Sequence, residues 1–113
     1  MLATFVDRGG RLIVDGLSAY YDEYAHCTMQ TGFLLADLLG GSVRDVLHVA
    51  DDFLVGTDLG DVHAHLWRGE IEPSGGTPMG GGRGTTLALR NRHGAGETIW
   101  VPSCLGLGAW VAG

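Results

Sequence analysis

His63 and His65 stand two apart in Asp61-Val-His-Ala-His-Leu-Trp-Arg68, the spacing in this chain that most invites chemistry. Alternate residues on a strand point to one face, so such a pair can share a metal ion. A mononuclear site needs a third and a fourth ligand, and Asp51, Asp52, Asp58 and Asp61 lie nearby in sequence. No downstream His/Asp series completes the pattern of a metal hydrolase, and ligand number decides the matter. The balance favours exposed or hydrogen-bonded imidazoles, and no cofactor is expected.

His26 and Cys27 suggest a Cys–His nucleophile. Adjacent residues point apart, however, and a reactive thiolate needs a basic or helix-terminal setting. Cys104, at the end of an apolar strand, reads as a packed thiol. Gly80-Gly-Gly-Arg-Gly84 has no Lys and precedes a strand instead of a helix, so it does not meet the requirements of a phosphate loop. Asp22-Glu23 and Asp51-Asp52 are carboxylate pairs. Glycosidase acid/base chemistry needs carboxyls about 5 to 9 Å apart across a sugar, which neighbours in a loop rarely supply. Solvated charge is the expectation for both pairs.

Tyr20, Tyr21 and Tyr24, with Asp22 and Glu23, fall in a long connection after the first strand. Open α/β sheets place ligands at that edge, while Tyr and Trp also concentrate at subunit interfaces. An interface is favoured over a sugar site, and Trp67 joins the candidates. Trp67, Trp100 and Trp110 read as core or interface bodies before a carbohydrate platform.

Composition limits the partners. Seven Lys+Arg, all of them Arg, stand against 13 Asp+Glu, and the net charge of −6 disfavours nucleic acid or an anionic membrane. Hydrophobic residues at 45% can build a core. No apolar stretch reaches the roughly 20 residues that span a bilayer, and the N-terminus lacks a signal-peptide layout. Two cysteines do not make a disulfide scaffold, which points to free thiols and a cytoplasmic location.

The elements that must position these residues begin with a helix over Met1–Arg8, stopped by Gly9-Gly10. Arg11–Asp15 follows as a strand whose continuous apolar run Leu12-Ile13-Val14 predicts cover on both faces of a parallel sheet. Such a strand needs neighbours, which either lie downstream in this chain or belong to a larger α/β unit; residues 1–113 are expected to be one domain, the C-terminal portion of such a unit. A short helix over Phe33–Leu39 ends at Gly40-Gly41, and strands are expected over 42–50 and 61–68. Six of the eleven residues 74–84 are Gly, which predicts a mobile loop. Thr85–Asn91 and Glu97–Pro102 form an antiparallel hairpin in which Leu87 and Leu89 share a face with Ile99 and Val101. The small apolar tail from Ser103 onward is anchored by Trp110.

Taken in order, several pieces resemble the non-catalytic middle (trimerisation) domain of family 42 β-galactosidases. They are Leu2-Ala-Thr-Phe-Val-Asp-Arg-Gly-Gly-Arg-Leu-Ile-Val-Asp-Gly16, Tyr21-Asp22-Glu23, Phe33–Gly40, and Arg92-His-Gly-Ala-Gly-Glu-Thr-Ile-Trp-Val-Pro-Ser103. The opening helix, Gly-Gly and strand also occur across class I glutamine-amidotransferase-like folds. The resemblance implies a partial flavodoxin-like, amidotransferase-like sheet with flanking helices. It also implies a domain without chemistry of its own, which holds sibling subunits together while a separate barrel carries the glycoside hydrolase activity. Its partners would be sibling subunits in a homo-oligomer or the remainder of the parent protein. The competing reading is a small amidotransferase-like or metal-dependent hydrolase using His26, Cys27, His63 and His65. A third is a ligand-binding module of flavodoxin-like shape.

Overall fold

The computed structural model describes residues 1–16, 18–29, 32–81 and 84–105. Helix α1 (Leu2–Asp7) buries only Val6, and Gly9, at φ 105°, ends it in a conformation that a side chain would strain. Strand β1 (Arg11–Asp15) follows as expected. Gly96 has no room for a β-carbon, because the backbone carbonyls of Val6 and Gly10 crowd its α-carbon. The Ala95 amide donates to the Asp7 carbonyl at 3.0 Å. α1 is thereby fastened to the turn between β5 (Ala88–His93) and β6 (Gly96–Val101).

One sheet has the order β1-β6-β5-β4, with β4 at Thr77–Met79. β1 runs parallel to β6, and the β6–β5 and β5–β4 pairs are antiparallel. The second sheet has the order β2-β3-β7, in which β2 (Gly41–Thr57) and β3 (Gly60–Pro73) form a long ribbon and β7 is Ser103–Cys104. Asp58 and Leu59 close the ribbon. Thr57 Oγ1 donates to the Gly60 carbonyl at 2.7 Å and accepts the Leu59 amide at 3.2 Å.

Val14, Trp100 and Leu89 lie side by side across three strands, so one face of the four-stranded sheet carries the main core. Tyr20, Phe33, Leu39, Val43 and Ile71 complete it. α2 (Ala36–Leu39) sits over this face, where Thr98 Oγ1 and Asn91 Nδ2 both donate to the Leu38 carbonyl. Val101 and Ala88 point the other way and pack with Val55, Ala64 and Leu87. The root of the ribbon, at Val43 and Ile71, therefore belongs to one face of the sheet. Its far part, at Val55 and Ala64, covers the other.

This architecture corrects the α/β expectation. The described residues are mostly strand, in two sheets, and the two helices are short; the fold is not flavodoxin-like with flanking helices. The misleading signal was Leu12-Ile13-Val14. Among the described residues β1 pairs with β6 on one side and with no strand on the other, and Ile13 is 55% exposed, so the apolar run is not buried on both faces here. The hairpin register also differs by one residue. Leu89 pairs with Trp100 and shares its face, while Ile99 and Val101 look away.

The expected helix over 33–39 is only Ala36–Leu39, because Phe33 turns into the core. Within the glycine-rich stretch, Thr77–Met79 forms a strand against β5 instead of a loop. Gly82 and Arg83, and the expected anchor Trp110, lie outside the described residues.

Candidate functional site

The connection after β1 is built by short local hydrogen bonds. Gly16 donates its amide to the Ser103 carbonyl at 3.0 Å, and Ser18 Oγ donates to the Asp15 carbonyl at 2.7 Å. Tyr20 turns inward, 3% exposed, and meets Phe33 edge-on with ring centroids 6.2 Å apart. Its hydroxyl is buried without a hydrogen-bond partner. Burial, and then the charge of Cys104, push its phenol well above the ordinary value. Thr28 clamps the far end of the loop, its amide donating to the Tyr20 carbonyl at 2.7 Å.

Asp22 organises what lies between. Its Oδ1 accepts the amides of Tyr24 and His26, each at 2.9 Å, and its Oδ2 stands 3.3 Å from His26 Nδ1. This is an Asx-type turn, in which the carboxylate replaces a backbone acceptor. Tyr21, Glu23 and Tyr24 then point outward, with Tyr24 73% exposed. A shallow hollow between this loop and the exposed Leu34 is lined by Asp22, Glu23, Tyr24 and Leu34.

The six sequence candidates thus divide. Tyr20 serves the core and Asp22 shapes its own loop, whereas Tyr21, Glu23 and Tyr24 form a displayed acidic and aromatic surface. Trp67 stands apart on β3, half-buried and edge-on to His48 at 5.7 Å.

His63 and His65 do not assemble a metal centre: among the described residues no group of three or more His, Cys, Asp or Glu could hold an ion. His63 Nδ1 is 3.4 Å from Asp52 Oδ2 at the surface, and His65 Nδ1 is buried without a hydrogen-bond partner. A bulge places Ala50, Asp51 and Asp52 opposite His65, and Leu66 takes φ 69°. That break interrupts the alternation of faces along residues 61–68. Cys27 is an exposed free cysteine whose backbone stands opposite that of Tyr21 in an isolated antiparallel pair. Burial, and then the charge of Asp15, raise the Cys104 thiol against a backbone hydrogen bond at Trp67.

A second cluster was missed in the sequence. Glu97 accepts Arg11 Nε at 2.7 Å on one oxygen and Arg90 Nε at 2.9 Å on the other. Arg90 also donates to Asp58 at the tip of the ribbon, 2.7 Å away. Arg11, Glu97 and Arg92 form one cross-strand row, and with Gly9, Gly10, Ala95 and Gly96 they wall a shallow cleft. The signal was present in the alternation Arg90-x-Arg92 opposite Glu97, but it needed the correct hairpin register to be seen.

No family model and no curated protein matches this sequence. Solved structures do match in fold. The β-galactosidase of the Antarctic haloarchaeon Halorubrum lacusprofundi aligns with 98% of this chain and 18% of its own, at 18% identity and TM-score 0.75. Gan42B, a GH42 β-galactosidase from G. stearothermophilus, aligns over 92% of this chain and 16% of its own, at 19% identity and TM-score 0.73. An exo-β-1,4-mannosidase from Opitutaceae bacterium strain TAV5 aligns over 98% and 19%, at 25% identity and TM-score 0.67. The chain has the fold of one segment of GH42 β-galactosidases, and it spans less than a fifth of the length of each of these enzymes. Among the described residues, no helix is long and apolar enough to cross a membrane.

Proposed function

We propose that this chain is an assembly and support domain of a β-galactosidase-type glycoside hydrolase, the part that holds subunits together while the glycosidase chemistry resides elsewhere in the parent. In this reading residues 1–113 belong to a larger domain, and Tyr21, Glu23 and Tyr24 face sibling subunits or the rest of the parent. The supporting observation is the asymmetry of the fold match. Nearly all of this chain superposes on a minor segment of much longer β-galactosidases. Exposed Phe5, Ile13, Tyr21, Tyr24 and Leu34 add apolar surface of the kind that interfaces cover.

The test pairs an aryl β-galactoside assay of the chain with a measurement of its mass in solution. No turnover and a mass above that of one chain are expected. Turnover of the galactoside by the chain alone would contradict the proposal.

A further inference from the structure

Glu97 holds two guanidiniums in place on the sheet face that turns away from the main core. Arg11 commits its Nε to that carboxylate, and Arg90 commits Nε to it and Nη1 to Asp58. Nη1 and Nη2 of Arg11 and Nη2 of Arg90 meet no acceptor among the described residues. Arg92 pairs across the strands with Glu97 and so shares its face. Among the described residues Arg92 makes no ion pair and no side-chain hydrogen bond.

The three arginines stand around a cleft of about 330 Å³, lined also by Gly9, Gly10, Ala95 and Gly96. A second hollow, of about 350 Å³, shares Arg90 and Arg92 and adds Gly75, Thr77 and Asn91. Three guanidiniums against the carboxylates of Glu97 and Asp58 leave one positive charge over, in a chain of net charge −6. Apart from the arginine stems, no apolar side chain larger than alanine lines the cleft, so it offers nothing to a hydrocarbon tail.

We propose that this cleft binds a small hydroxylated monocarboxylate, with the polarity of a sugar acid. A single carboxylate neutralises the charge left over, whereas a dianion would exceed it. The planar guanidinium fork matches a carboxylate oxygen for nitrogen, and Arg92 has its whole fork free. Arg11 and Arg90 are already fixed by Glu97, so they lose little side-chain freedom when the ligand arrives. The site uses a face of the sheet and not the unpaired side of β1. It goes beyond the assembly reading and does not depend on it.

The test is a titration of the isotope-labelled chain, followed by NMR through its arginine Nε–H signals and the amides of Gly9, Gly10 and Gly96. Glucuronate is the probe, glucose its uncharged counterpart and inorganic phosphate the rival anion. Saturable shifts confined to the cleft are expected with glucuronate, and none with glucose. Arg92→Gln is expected to weaken glucuronate binding by about tenfold or more, through loss of a charge-assisted pair. That variant has no intramolecular partner to lose, and an unchanged thermal midpoint would verify its folding.

An equal response to glucose, or phosphate bound more tightly than glucuronate, would overturn the carboxylate assignment. Full affinity in Arg92→Gln, or no saturable shift with glucuronate, would overturn the site itself. Each of these results leaves the assembly reading standing. A chain that stays at 11.9 kDa contradicts that reading and leaves this one untouched.

Discussion

Phe33 lies against Trp100 with ring centroids 5.3 Å apart and planes 20° from parallel. The stack joins the segment before α2 to the centre of the four-stranded sheet, and both rings are buried. Offset aromatic pairs add to area burial, and removing one leaves a cavity that neighbouring strands cannot fill. Phe33→Ala is expected to cost about 3 to 5 kcal/mol in chemical denaturation. A loss below about 1 kcal/mol would mean that Phe33 is not in the core.

Tyr20 offers the opposite sign. Its hydroxyl is buried without a hydrogen-bond partner, so Tyr20→Phe is expected to leave stability unchanged or to raise it by about 1 kcal/mol. The folded chain holds this proton where an unfolded phenol releases it, above the ordinary value of 10.0. Stability should therefore fall as pH rises beyond that value, and the fall should be smaller in Tyr20→Phe, in which only the raised thiol of Cys104 still contributes to it. Denaturant midpoints of the two proteins on the alkaline side provide the check.

Glu97 links three strands. Burial pushes its carboxyl up, but hydrogen bonds from Arg11 and Arg90 outweigh it and hold the carboxyl below the ordinary value of 4.5. Its contribution to stability is present above that value and lost as pH falls through the lower folded one. Glu97→Gln should lower the thermal midpoint at neutral pH, and the two proteins should converge in acid. A midpoint difference that persists unchanged in acid would contradict the ion-pair account.

Gly96 is a steric requirement of the α1 docking, because a β-carbon there would meet two backbone carbonyls that cannot turn aside. Gly96→Ala is expected to cost about 1 to 3 kcal/mol, with the first amides lost to hydrogen exchange being those of α1. Equal protection of α1 in both proteins would count against this arrangement.

Much of the local structure was legible because it rests on local chemistry. Gly9 after α1, the limits of β1 and the hairpin around Gly94 follow from backbone freedom and apolar runs. The global arrangement was not, for identifiable reasons. Leu12-Ile13-Val14 looks the same on an edge strand as on a central one, and only the neighbours distinguish them. The long ribbon was hidden by its bulge at Ala50–Asp52, which breaks the period of two. Tyr21, Glu23 and Tyr24 fall in the loop expected after the first strand, but burial of Tyr20 against Phe33 depends on contacts between segments. The Arg11–Glu97–Arg90 network needed strand order, since Arg11 and Glu97 are 86 residues apart.

The most direct measurement is the mass of the unmodified chain in solution, by sedimentation over a broad range of concentration. An assembly domain should shift from 11.9 kDa toward a multiple of it as concentration rises. A single species of 11.9 kDa throughout would contradict self-assembly.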